Sequence, residues 1–196
     1  PISPAFAVAG IRRVRMPDCG IRFDGANGKM ETDLVPRAGY DIVTIEVTNI
    51  HRSLKPSEIA YNFRSLHNAR QATKDARKII EDFQPDVAIG TGGYVCYPVL
   101  KAAAQLGIPT VVHESNAVPG LTTKMLVGAG DRILVGFEES KQHYSEQKKV
   151  VVTGTPVRGA FTACSTAEAK RQLGLDPDRP LVVSVWGSLG ASYMNE

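Results

Sequence analysis

Asp86-Val-Ala-Ile-Gly-Thr-Gly-Gly-Tyr94 is the stretch that decides how this chain folds. A short β-forming run ends in a glycine-rich turn and passes, near Val95, into an apolar segment with helical spacing. This is the strand-turn-helix unit of a parallel α/β sheet. Such a turn presents free backbone N–H groups and the positive end of a helix dipole to an anion. Glycine lets phosphate oxygens approach without a Cβ in the way. An ordinary tight turn between strand and helix has the same composition, so these residues alone leave both readings open.

Working outward, short β-branched runs alternate with longer helical patterns. The spacing predicts strands over Gly20–Phe23, Tyr40–Val47, Asp86–Ile89, Thr110–Val112, Arg132–Val135, Val150–Val152 and Leu181–Val185. Between them it predicts helices over Ile2–Arg15, Ser57–Asp82, Val95–Leu106, Leu121–Val127, Glu138–Tyr144 and Ala167–Leu173. The rhythm is that of a doubly wound, Rossmann-like parallel sheet in an α/β fold. Gly154-Thr-Pro-Val-Arg158 breaks it, and the Pro-rich turn Asp176-Pro-Asp-Arg-Pro180 leads into a new apolar run. We therefore expect a first domain over 1–158, a linker over 159–180 and the opening strand and turn of a second domain over 181–196. The first residue is Pro1 rather than Met, and Glu196 follows a turn that should open a helix, so the expectation is a chain incomplete at both ends.

Composition narrows the classes. With 43% apolar and 22% charged residues the chain of 196 can bury a core, which excludes disordered and fibrous types. Its net charge of +3 comes from scattered Lys and Arg without a long basic run, so no nucleic-acid partner is expected. Cys19, Cys96 and Cys164 are far apart and form no C-x-x-C pair, which argues against a disulfide framework and against a metal site. No apolar run reaches the ~20 residues that span a bilayer. The segment His51–Arg77, however, mixes Leu54, Ile59, Tyr61, Phe63 and Leu66 with Arg52, Lys55, Arg64, Arg70, Lys74 and Arg77. That composition suits an anionic membrane surface, although an amphipathic helix more often buries such a stripe in its core.

A second cluster sits after the next strand, at His113-Glu-Ser-Asn116, where ionisable and amide groups collect at the carboxyl edge of the sheet. Ligands of open α/β sheets bind at that edge. His113 and Glu114 are candidate acid/base residues, or they hold the neighbouring loop by hydrogen bonds; the residues leave both open. Arg158 could reach a phosphate, and Trp186-Gly-Ser-Leu-Gly-Ala191 repeats the strand-to-glycine-turn logic.

In their order, Ile2-Ser-Pro-Ala5, Met30-Glu-Thr-Asp-Leu-Val-Pro-Arg-Ala-Gly-Tyr40, Gly90-Thr-Gly-Gly-Tyr94, His113-Glu-Ser-Asn116, Pro119-Gly-Leu-Thr122, Gly154-Thr-Pro-Val-Arg158 and Gly187-Ser-Leu-Gly-Ala191 resemble one family over nearly the whole chain. That family is the lipid-linked N-acetylglucosaminyltransferases of peptidoglycan synthesis, the MurG type. The resemblance implies the N-terminal, acceptor-side domain of a glycosyltransferase B fold. It implies an inverting transfer without metal or cofactor, from UDP-N-acetylglucosamine to the muramyl-pentapeptide diphosphate of undecaprenol, at the cytoplasmic face of the bacterial membrane. It places Asn116, Arg158 and Ser188 on the sugar nucleotide, and Gly92, Gly93 and Tyr94 on the acceptor diphosphate. His113 and Glu114 match a motif the family needs for activity. The chain departs from the family pattern at Tyr97 and Trp186, where Gly is usual, at Ser115 for Gln, and at Thr123 for Asn. The isolated chain is expected to be inactive. A membrane-docked acceptor-binding subunit and a UDP-N-acetylglucosamine epimerase are the competing readings.

Overall fold

The computed structural model describes residues 2–47, 56–159 and 163–183, and of residues 56–67 the backbone alone. The chain divides into two compact units, Pro1–Gly159 and Ala160–Glu196, so residues 160–180, expected as a linker, group with the end of the chain.

In the first unit α1 (Ile2–Arg15) precedes β1 (Arg22–Ala26), α2 (Glu31–Arg37) and β2 (Asp41–Ile45). The long α3 (Pro56–Phe83) crosses to β3 (Ala88–Gly90), α4 (Cys96–Gln105), β4 (Thr110–Glu114), α5 (Leu121–Leu126), β5 (Arg132–Val135) and β6 (Val150–Val152). Every described strand pair is parallel. β1 pairs with β2 in one ladder, and β3-β4-β5-β6 run in sequence order in a second. Consecutive strands joined by helices and laid side by side are the expected α/β architecture.

The helices carry their own reasons for forming. α1 has no acidic residue in its first turn but carries Arg12, Arg13 and Arg15 in its last, where cations oppose the dipole's negative end. α2 has the full arrangement, Glu31 and Asp33 first and Arg37 last. Glu31 also accepts the Ala26 N–H at 3.1 Å, tying the helix to the end of β1. On α3 the buried residues Ala72, Ala76 and Ile80 recur every fourth position and pack on Ile45, Ala102 and Ala103, which clamps α3 and α4 against the β2 side of the unit. On the other face of β1, Phe23 meets Phe6 at 5.5 Å and Tyr40 at 5.1 Å between ring centroids, so α1 and the start of β2 close over it.

Several boundaries differ from expectation. β1 lies later than Gly20–Phe23 because pairing with β2, not local propensity, sets it through Asp24-Gly-Ala26. β4 runs two residues past Val112, taking His113 and Glu114 into the strand. Glu138–Tyr144 is a 310 turn over Glu138–His143 rather than an α-helix. α2 escaped the sequence reading because Pro36 stands inside it. Residues 181–183, expected as strand, carry no regular structure, and 184–196, with Trp186 and Ser188, lie outside the described residues. In the second unit α6 (Thr166–Gln172) begins on an N-cap in which the Ser165 hydroxyl accepts the Glu168 N–H at 3.2 Å.

Candidate active site at the carboxyl edge of the sheet

Because β3 to β6 are parallel and in register, the segments that follow them emerge at one edge. The turn after β3 depends on its glycines. A Cβ on Gly90 would stand 2.6 Å from Leu100 Cδ1 and 3.1 Å from Cys96 Sγ, so only glycine lets α4 pack this close. Gly92 and Gly93 follow with φ of 98° and 92°, and Gly93 faces open space. Cys96 braces the turn from behind: its thiol donates to the Gly92 carbonyl at 3.0 Å, and burial pushes its pKa up. The N-terminus of α4 carries no acidic residue in its first turn and no side-chain cap on Val95, a favourable place for an anion. Tyr94 is half exposed beside it. Tyr97, one of the family departures, packs on the core cluster of Cys96, Leu100, Val112 and Leu126.

The end of β4 is denser. Glu114 is buried, yet its carboxylate is fully satisfied. Oε1 accepts from the Asn116 N–H at 3.0 Å and the Asn116 amide nitrogen at 2.7 Å, and Oε2 from the Gly120 N–H at 2.9 Å and the Thr123 hydroxyl at 2.7 Å. Burial raises the Glu114 pKa, but these donors together outweigh it and hold the group below the usual carboxylate range. Thr123, the second family departure, is thus a buried donor to Glu114. Neither this role nor that of Gly120 follows from the residue pattern around His113 and Glu114. The signal lies further along the chain, a hydroxyl one turn into a helix that a Gly opens.

His113, also buried, sends Nε2 to the Gly154 carbonyl at 3.1 Å. A carbonyl only accepts, so this ring nitrogen carries the proton; the other nitrogen lies 3.4 Å from the Ser115 hydroxyl. His113 therefore spans from β4 to the turn after β6, where Gly154 takes φ of 71°. Gly136, after β5, completes the convergence: its N–H donates to the Glu114 carbonyl at 3.1 Å, and an added Cβ would lie 3.1 Å from Thr155 Oγ1 and 3.4 Å from the Ser115 carbonyl. Tyr144 is buried nearby, and its hydroxyl is raised to about 12 by burial and by the Glu114 charge.

The structure thus brings His113, Glu114 and Asn116 together, with Gly92, Gly93 and Tyr94 at the same edge. Arg158 instead lines a cleft of about 780 Å3 with Phe6 and Ile11 of α1, Leu34 and Arg37 of α2, and Tyr40. Ser188 lies outside the described residues. Of the proposed membrane segment, the side chains of Arg70, Lys74 and Arg77 are described and exposed; those of residues 51–67 are not described. No described helix is long and apolar enough to cross a membrane. Among the described residues no cluster of His, Cys, Asp and Glu could hold a metal ion.

Glycine turns and a hydrogen-bonded loop at the carboxyl edge of a parallel α/β unit put the candidate site where open α/β folds bind their ligands. The chain belongs to glycosyltransferase family 28, whose N-terminal domain profile matches residues 2–135. Its relatives include UDP-N-acetylglucosamine--N-acetylmuramyl-(pentapeptide) pyrophosphoryl-undecaprenol N-acetylglucosamine transferases. That of Caldanaerobacter subterraneus subsp. tengcongensis is 43% identical over 194 residues, 99% of this chain and 52% of the relative. That of Acetivibrio thermocellus is 41% identical over the same shares. The chain spans about half the length of these relatives. Among solved structures, MurG of Acinetobacter baumannii superposes with TM-score 0.62 at 27% identity, over 80% of this chain and 42% of that one. A UDP-GlcNAc 2-epimerase from Neisseria meningitidis, solved with UDP-GlcNAc, superposes with TM-score 0.55 at 15% identity, a likeness of fold alone.

Proposed function

We propose that this chain supplies the acceptor-side half of a transferase that moves N-acetylglucosamine from its UDP ester to a muramyl-pentapeptide diphosphate carried on undecaprenol. The observation that carries this reading is the 43% identity to such a transferase over 99% of the chain, the whole carboxyl edge included. The geometry supports it in kind. The N-terminus of α4 behind Gly92 and Gly93 offers backbone donors and dipole to a diphosphate, and the His113–Asn116 segment lies at the same edge for the sugar nucleotide.

In this reading a hydroxyl of the acceptor sugar attacks the anomeric carbon as UDP departs, inverting the configuration without a metal. A base takes the proton, and the helix N-termini stabilise charge on the diphosphates. The enzyme meets the cytoplasmic face of the membrane peripherally, through the basic and apolar segment of 51–77.

The test is transfer of labelled N-acetylglucosamine from UDP-N-acetylglucosamine to the lipid-linked acceptor. It is run with this chain alone and with a chimera in which the chain replaces the matched half of the Caldanaerobacter relative. The chain alone gives no transfer and the chimera does. A folded chimera with no transfer, beside an active parent, overturns the reading. If the chain then still binds acceptor-bearing vesicles, the acceptor-binding subunit takes its place.

A further inference from the structure

The Asn116 amide has two ends, and its neighbour decides which faces outward. An ionised carboxylate accepts and cannot donate, so the atom 2.7 Å from Glu114 Oε1 is the amide nitrogen. The Asn116 backbone N–H donates to the same oxygen at 3.0 Å, which fixes the residue at both main chain and side chain. The other carboxylate oxygen holds Gly120 and Thr123, at the far end of the loop. One buried side chain thus closes the loop from 115 to 120 on itself, while Asn116 is exposed at its tip. The carboxylate's lone pairs are all occupied, which leaves none for a substrate hydroxyl.

We propose that Glu114 is a positioning residue and not the proton acceptor. Its carboxylate folds the loop and turns the Asn116 amide nitrogen inward, so that the Asn116 oxygen faces out to accept a hydrogen bond from a hydroxyl or N–H of the ligand. That the ligand is a sugar nucleotide rests on the function proposed above; the loop geometry does not. The Asn116 oxygen discriminates by chemistry: it favours a ligand group that donates and disfavours one that only accepts, such as a phosphate oxygen.

Two measurements test this. In the chain itself, NMR reads the carboxyl carbon of Glu114 and the amide protons of Asn116 and Gly120 through a pH titration. All three shift together, below the usual carboxylate range. In Glu114→Gln, hydrogen exchange at the Asn116 and Gly120 amides accelerates on the order of tenfold or more. Exchange at the Thr110 amide, which Asp131 accepts at 2.8 Å, does not change. Unchanged exchange at residues 116 and 120 overturns the proposal. In the chimera, Glu114→Gln and Asn116→Ala both raise KM for the sugar nucleotide, and the acidic limb of the kcat/KM profile survives in Glu114→Gln. A kcat loss with KM unchanged and the acidic limb gone would identify Glu114 as the base and also overturn it. Because the NMR measurement uses the chain alone, a chimera without activity counts against the proposed function and leaves the assignment of Glu114 to be decided by exchange.

Discussion

Asp24 and Glu114 are both carboxylates carried on parallel strands, and their surroundings drive them in opposite directions. Glu114 is met by donors on both oxygens, whereas the Asp24 Oδ1 is buried without a hydrogen-bond partner and lies 3.9 Å from Arg22 Nε. Burial pushes the Asp24 pKa up from 3.8 to about 6, with the Arg22 charge opposing the rise. A folded-state value above the unfolded one means that folding disfavours the ionised form. The cost is absent below the unfolded pKa and fully present above the folded one. A rise of this size corresponds to roughly 3 kcal/mol at neutral pH. Asp24→Asn removes the charge while keeping the shape, so the variant gains roughly 1–3 kcal/mol at pH 7 and almost nothing at about pH 3. Urea unfolding followed by far-UV circular dichroism reads both values, and an Asn variant no more stable than the parent at pH 7 refutes the assignment.

At the scale of the elements, the turn between β3 and α4 separates two uses of glycine that a sequence cannot tell apart. Gly90 is confined by Leu100 and Cys96, whereas Gly93 has open space but φ of 92°. Gly90→Ala must displace the buried Leu100 side chain and costs about 1–3 kcal/mol, which truncating Leu100 in the same molecule partly relieves. Gly93→Ala meets no atom, costs about 1–2 kcal/mol through backbone strain, and is not relieved by Leu100 truncation. Denaturation of the single and double variants separates the two, and equal relief in both would show the distinction to be wrong. Pattern made the sheet legible, since the β-branched and apolar runs in Arg132–Val135 and Val150–Val152 mark strands that the structure keeps to the residue. It was blind where tertiary contact overrides composition. β4 reads as ending at Val112 because His and Glu are polar, yet partners at Gly154 and Thr123 let both be buried in the strand. α2 was hidden by Pro36, although Glu31, Asp33 and Arg37 complement its dipole. The candidate site was legible as a set of residues, but which oxygen holds which donor was not, because Gly120 and Thr123 reach Glu114 only once α5 is folded against β4.

For the whole molecule the two carboxylates together shape the pH dependence of stability. The Asp24 cost disappears as pH falls from about 6 towards 3.8, so this group alone makes the protein more stable in mild acid. Glu114 acts the other way. Its folded pKa is depressed, so its contribution is present above the unfolded value and is lost as pH falls through the folded one. The two contributions oppose one another: Asp24 raises stability on going down from neutral, and Glu114 lowers it further into acid. The variants separate the limbs. Asp24→Asn flattens the profile between pH 7 and 5 and leaves the acid limb intact. Glu114→Gln lowers stability near neutral by roughly 2–4 kcal/mol, because it presents a donor to the groups that the carboxylate accepted, and weakens the acid limb. Urea midpoints collected at half-unit steps of pH for the parent and both variants decide the matter. An Asp24→Asn profile that stays parallel to the parent's between pH 7 and 5 would mean that the rise attributed to Asp24 does not exist.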